Sequence, residues 1–316
     1  MQNGKIKMSF RRSLRLRNLL HYNIKDFSPT EVGFEMTNKK LKLLFSFILI
    51  VLSFTSISYS QWKHDLFPSD LNIQPFTANF LEPKAGFLLA VGQDKVRLDI
   101  STSRDIIHWY DEDESISIGA DLFTFTRLRS EDNFKFPVET IDYLFGFNAG
   151  YKKKICEYEY GIRFRLSHIS AHLVDGQFDN GTVSWRNNRL PFVFSKEFFE
   201  LFPYFKVNSL RVYAGLTYIF HVIPEEIKKG IYQVGFDYYA TQFGTDLITP
   251  FAAYDFKLSG NNKYVGNNII SAGVKFGKWD KKGFSIYYTY ISGKSVHGEF
   301  FDVNENYSSV GCNFDL

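Results

Sequence analysis

Cysteine is scarce in this 316-residue sequence, which has only Cys156 and Cys312. Two cysteines cannot form a disulfide framework for a chain of this length. Both fall on expected strands far apart in the sequence, so a small apolar role on an outward face is the expectation for each. Long apolar runs are also missing. Mean hydropathy is −0.19, and the run LLFSFILIVLSF (Leu43–Phe54) stops at twelve residues. That is short of the roughly 18–20 residues a spanning helix needs, so nothing suggests a polytopic helical protein. A basic excess is missing from the body of the chain. Residues 1–60 hold ten Lys/Arg against three Asp/Glu, leaving 27 basic and 31 acidic residues in 61–316. Such a mildly acidic body lacks the footprint of a nucleic-acid binder. No Gly-rich phosphate loop, Cys-pair metal site or dinucleotide fingerprint stands out, so no cofactor and no metal are implied.

What the sequence has in quantity is aromatic side chains, 18% of residues with 34 Phe and 19 Tyr, which favours strands over helices. The clearest pattern is EYEYGIRFRLSHISAHLVD (Glu157–Asp175). Tyr158, Tyr160, Ile162, Phe164 and Leu166 alternate with Glu157, Glu159, Gly161, Arg163, Arg165 and Ser167, which reads as a strand with one oily and one charged side. The same alternation recurs to the last residue, for example Leu210, Val212, Ala214, Leu216, Tyr218 and Phe220 against Ser209, Arg211, Gly215, Thr217 and His221. A soluble β-sandwich also alternates, but its strands are shorter and its buried face rarely so aromatic. The fold expected is an all-β transmembrane antiparallel barrel of about twelve strands over 84–316, preceded by an extended periplasmic lead-in over 61–83, with a position against or inside the barrel as the alternative for it.

The amino terminus fits export to the bacterial outer membrane. Lys39, Lys40 and Lys42 precede the twelve-residue apolar run, and Ser58-Tyr59-Ser60 offers small residues for cleavage before Gln61. A membrane anchor is the competing reading of that run. Residues 1–35 read as an upstream extension, with Met36 as the true start and 36–60 as a signal peptide.

With both ends of the barrel in the periplasm, 152–154, 203–207, 241–246 and 278–282 become inner turns and 173–189 and 294–305 outer loops. The stretch 103–115 is an inner turn on this scheme. Inward charges Asp99, Asp121, Arg127, Glu157, Glu159, Arg163, Arg165 and Arg211 suggest a lumen of both signs, narrow or packed more readily than open.

The runs LFPSDLNIQPFTANFLEPKAGF (Leu66–Phe87) and RLSHISAHLVD (Arg165–Asp175) resemble a bacterial outer-membrane family catalogued as domain of unknown function twelve-oh-seven. The later strands are similar to it in pattern alone. The resemblance implies an exported barrel and brings no established activity. The closing strand, with Val310, Cys312, Phe314 and Leu316 alternating, is similar to the signal read by barrel assembly machinery. That machinery and outer-membrane lipids are the partners implied; no oligomeric state is.

One group suggests chemistry. His168-Ile169-Ser170 resembles the H-x-S pair of outer-membrane phospholipases and lipid A deacylases, although those families continue with Asn where this chain has Ala171 and His172. A base and a nucleophile two apart on a strand share a face, and an acid or amide from the fourth or sixth strand can orient the base. The competing reading is that His168, Ser170, His172 and Asp175 are polar groups at the headgroup boundary. Divalent metal binding by His168, His172 and Asp175 needs the chain to bend after Ser170. The expectation is therefore a non-enzymatic small pore or surface scaffold, with an outer-leaflet lipid acyl hydrolase using Ser170 and His168 as the alternative.

Overall fold

In the computed structural model, residues 62–245 and 247–315 are described. The upstream extension, the signal segment and the cleavage point before Gln61 lie outside them. The alternating segments form twelve antiparallel strands closed into a barrel. They are β1 (Ala85–Ala90), β2 (Lys95–Tyr110), β3 (Glu114–Arg129), β4 (Val138–Ile155), β5 (Tyr158–Leu173) and β6 (Phe194–Val207). The others are β7 (Leu210–Ile223), β8 (Gly230–Tyr239), β9 (Ile248–Gly260), β10 (Tyr264–Phe276), β11 (Phe284–Lys294) and β12 (Asn304–Phe314). Each strand pairs with its sequence neighbours, and β12 pairs with β1 (Phe314↔Ala85 to Ser309↔Ala90) to close the ring.

Closure turns the two-residue period into an inside and an outside. Leu210, Val212, Leu216 and Phe220 are exposed on the outer wall, while Arg211, Tyr213 and Thr217 are buried in the lumen. An outer surface this rich in exposed Phe, Tyr, Leu, Ile and Val is solvated by lipid. Among the described residues no helix is long and apolar enough to cross a membrane.

Three expected turns differ in extent or position. The stretch 103–115 is mostly strand: β2 runs to Tyr110, with a bulge between Asp105 and Ile107, and its end pairs with a short strand, Lys63–Leu66. The bulge breaks the two-residue period, which is why the alternation fades there. Lys152 to Lys154 belong to β4, and the turn falls on Cys156 and Glu157, where Cys156 takes a positive φ of 54°. Residues 203–207 complete β6, and the chain turns at Asn208, φ 50°, a conformation that Asn tolerates well. Two assignments fall with these shifts. Glu157 is exposed in the turn, not on the lumen wall, and Cys156 is in the same turn, not on the lipid face.

The lead-in fills the lumen. Asn72, Ile73, Phe76, Ala78, Asn79, Phe80 and Glu82 are all buried among inward-facing side chains. Phe76 stacks 5.3 Å from Phe202 and 4.3 Å from Tyr213, under the Arg211 guanidinium at 4.6 Å. Gly150 makes room for this passage, since a Cβ there would meet Ile73 Cδ1 at 2.8 Å. Arg211 donates to the Gln74 and Pro75 carbonyls at 2.8 and 2.5 Å, and Arg165 to that of Leu81 at 3.0 Å.

The inward charges pair across strands. Arg165 reaches Asp121 (2.9 Å) and Glu200 (3.0 Å), and Arg127 reaches Glu139 (2.7 Å) and Glu305 (2.9 Å). Arg97 binds Asp99 at 2.6 Å, Arg211 binds Asp237 at 2.5 Å, and Glu159 accepts the Tyr204 hydroxyl at 2.9 Å. At the distal end, away from Phe314, the loop 295–303 folds over the mouth. His297 Nδ1 lies 2.8 Å from Asp142 Oδ2, and the Gly298 N–H donates to Asp142 Oδ1 at 2.6 Å. Buried charges paired in this way hold a register across the strands.

Candidate functional site

Strand β5 carries Tyr158, Tyr160, Ile162, Phe164, Leu166, His168, Ser170 and His172 on its outer face. From Tyr158 to His168 is ten residues, or ~33 Å of strand; at a tilt of ~40° this gives a height of ~25 Å, matching the apolar band of such barrels. His168 and Ser170 therefore sit at the distal rim of the lipid-facing belt. The outward parity expected for them holds.

Register supplies the partner. Glu197 of β6 lies directly opposite His168 of β5, and Ser195 opposite Ser170. Glu197 Oε1 is 2.6 Å from His168 Nδ1 and also accepts the Ser195 hydroxyl at 3.3 Å. A second imidazole joins from the far side. His221 of β7 is paired with Glu197 in register, and its Nδ1 contacts Glu197 Oε2. The period-two pattern assigns His221 to the lumen, but a bulge between Ile219 and His221 re-aims it outward. The result is a row His168–Glu197–His221 across three strands on the outer wall.

Two features of this row bear on chemistry. Glu197 holds Nδ1 of His168, which leaves Nε2 as the nitrogen free to take a proton from a hydroxyl. The imidazole is packed against Phe145, 4.9 Å between ring centroids, so its orientation is fixed on that flank. Ser170 shares the face two residues along, ~7 Å away between Cα atoms. Its hydroxyl makes no hydrogen bond to His168 among the described residues.

The other sequence candidates separate from this group. Strand β5 stays extended to Leu173, so His172 does not converge on His168; it lies beside Tyr143, 6.2 Å between rings. Asp175 is exposed at the start of a short turn and accepts the Gly176 N–H at 3.1 Å. Among the described residues no group of three His, Cys, Asp or Glu is arranged to hold a metal ion. Of the inward charges, Asp121, Arg163, Arg165 and Arg211 are buried; Arg127 and Glu159 are half-buried; all are committed to partners in the lumen, remote from the outer row.

Glu197 is the member of this row that the sequence reading missed. It shares the outward parity of Phe199 and Leu201, so a carboxylate in a lipid-facing register was the available signal. The irregular alternation around residues 190–202 hid that parity, and the strand begins only at Phe194.

A closed twelve-stranded barrel with an apolar outer wall and an occupied lumen defines the class of protein. Over residues 141–316, more than half of the chain, it matches the family described as protein of unknown function (DUF1207), and the chain belongs to that family. The match takes in RLSHISAHLVD and continues through β12, so the later strands carry the family's sequence and not its pattern alone; it does not include Leu66–Phe87. No curated protein matches the chain in sequence. Among solved structures, the chain is similar to the outer membrane phospholipase A from Escherichia coli (12% identity, TM-score 0.48, 74% of this chain and 94% of that one). It is also similar to the β-domain of the Bordetella autotransporter BrkA (10% identity, TM-score 0.39, 74% and 97%). The translocator domain of autotransporter NalP from Neisseria meningitidis is a third (8% identity, TM-score 0.35, 87% and 96%).

Proposed function

We propose that the chain is an outer-membrane barrel that hydrolyses acyl esters of outer-leaflet lipids, with Ser170 as nucleophile, His168 as base and Glu197 as the group that orients His168. The chain is exported with cleavage before Gln61 and inserted by the assembly machinery that reads its terminal strand. The two shortest connections, 156–157 and 208–209, are proximal and the longest, 174–193, is distal, while the proximal 240–247 and 277–283 run to eight and seven residues. The longest loop favours a periplasmic proximal end, with the His168 row then facing the outer leaflet.

The observation that carries the proposal is the 2.6 Å contact between Glu197 and His168 on the lipid-facing wall. An ionisable carboxylate on the lipid-facing parity costs up to ~1 kcal/mol at the rim of the belt, and the same strand has inward positions that hold acids at no such cost. In the proposed reaction the Ser170 hydroxyl gives its proton to His168 Nε2 as Oγ attacks the ester carbonyl. Glu197 stabilises the imidazolium that forms, and His168 returns the proton to the leaving alcohol. Water then enters by the same route and frees the fatty acid.

A second reading, a non-enzymatic surface scaffold with a packed lumen, is favoured by two observations. Ser170 and His168 are not hydrogen-bonded to each other, and the backbone of β5 around them is paired on both sides, with Tyr143 and Phe145 of β4 and with Ser195 and Glu197 of β6. That pairing leaves no free N–H there for an oxyanion. The two readings separate on fatty-acid release from phospholipid and lipid A vesicles by the refolded protein. Release that falls by about 10²-fold or more in Ser170→Ala and His168→Ala, and by less in Glu197→Gln, supports the hydrolase. Variants that keep the full rate remove these residues from the site, and no release by the unaltered protein in any lipid leaves the scaffold reading.

A further inference from the structure

Strand β6 presents Glu197 outward and its neighbour Lys196 inward, between Phe194 and Phe198 on the lumen side. Lys196 Nζ lies 5.9 and 5.7 Å from those two rings and makes no hydrogen bond or ion pair among the described residues. It lines a cavity of about 90 Å³ at the distal mouth, between β6–β9 and the loop 295–303. Lys228 and Lys294 line the same cavity, together with Asn261, Ser295 and His297, and no acidic residue lines it. A single water requires ~10–15 Å³ by this measure, so the cavity holds one tetrahedral oxyanion or a few waters.

The neighbouring carboxylates are already paired. Glu200, the next acid along the inner face of β6, is bound to Arg165 at 3.0 Å. Asp142 is bound to His297 at 2.8 Å. Lys294 Nζ gives one donor to the Asp302 carbonyl at 2.7 Å and keeps its charge. Glu225 and Glu226, on the loop that carries Lys228, stand outside the lining. Three lysines line a small space with hydroxyl and amide groups beside them and no carboxylate in the lining, so an anion entering it meets positive charge and hydrogen-bond donors.

We infer that this cavity is a binding site for a phosphate group, entered from the distal mouth and independent of the His168–Glu197 row on the other face of β6. The group is either free inorganic phosphate or the phosphomonoester of a lipid headgroup.

The test uses the full-length barrel in neutral detergent and titrates inorganic phosphate by calorimetry. Binding should saturate at one equivalent, and Lys196→Gln should weaken it by about tenfold or more, the loss expected for one charge-assisted hydrogen bond. Lys228→Gln, in an exposed loop where folding is not at risk, should also weaken it. Lys281→Gln, at the proximal end where Lys281 pairs with Asp70 at 2.7 Å, should leave it unchanged. Repeating the titration in nanodiscs of phosphatidylcholine with and without phosphatidic acid identifies the source. Blocking by phosphatidic acid assigns the site to a lipid phosphomonoester, and unaltered binding assigns it to free phosphate. No binding to the unaltered protein, or equal binding by the Lys196, Lys228 and Lys281 variants, overturns the inference.

Discussion

Removal of one carboxylate should release the segment that fills the lumen. Glu82 is fully buried where the lead-in passes β5. It accepts from Arg163 Nη1 at 2.8 Å and from Arg163 Nη2 at 2.5 Å, and Asn79 Nδ2 donates to it at 2.9 Å. Arg165 also lies 3.7 Å away, but it retains Asp121 and Glu200 when Glu82 is lost. Arg163 has no second carboxylate. Glu82→Ala therefore strands a guanidinium that is only 6% exposed, and breaking a buried pair from one side costs about 3–5 kcal/mol. At ~1.4 kcal/mol per tenfold, the docked fraction of the lead-in should fall relative to the undocked by roughly two to four powers of ten. The loss falls on docking and not on the strand ladder, so the barrel stays closed. Two assays read it: cleavage within 68–84 by an added protease, and conductance of the reconstituted protein in a planar bilayer. Glu82→Ala should raise both, whereas Glu82→Leu combined with Arg163→Met, which removes both charges, should stay close to the unaltered protein. Equal protection of Glu82→Ala and the unaltered chain would refute the reasoning, as would a double variant as open as the single one.

Depth on the outer wall should set the cost of charge. Leu216→Arg, in the middle of the belt, should cost about 2–4 kcal/mol by urea refolding into vesicles, and Leu210→Arg, at the proximal edge, about 1 kcal/mol or less; equal costs would show that the belt is placed wrongly. The distal loop should loosen with rising pH. Burial pushes the Glu299 carboxyl up to about 7, so the seated loop keeps a proton that the free loop gives up from about pH 4.5. Seating is then complete below that range and is lost as pH rises through about 7; hydrogen exchange over 295–303 should show this, and Glu299→Gln should flatten the dependence. Mass analysis of protein purified from the outer membrane should find Gln61 as its first residue, and an intact Met1 chain in the soluble fraction would end the export reading.

Parity was legible in the sequence wherever strands were regular. Leu210 to Phe220 and Tyr158 to Leu166 announce an inside and an outside because the two-residue period has a single consistent assignment over several residues. It failed at the bulges. The extra residue between Ile219 and His221 reversed the face of His221, and the one between Asp105 and Ile107 disguised a strand as a turn. The pairing of His168 with Glu197 was illegible for a different reason. It depends on the register between β5 and β6, which are joined through a twenty-residue connection, 174–193, whose length fixes no register. The lead-in showed only weak periodicity, since a segment surrounded on all sides has no outward face to alternate with.

Covalent attachment of the lead-in to β1 at Ala85 changes the terms on which the lumen is filled. A displaced segment does not diffuse away; it remains on a short leash, at an effective concentration in the millimolar range. Its return is unimolecular, so occlusion is independent of how dilute the protein is in the membrane. A lone peptide covering 68–84, added to a barrel from which that stretch has been deleted, has to reach about that concentration before it does what the tethered segment does without a partner to find.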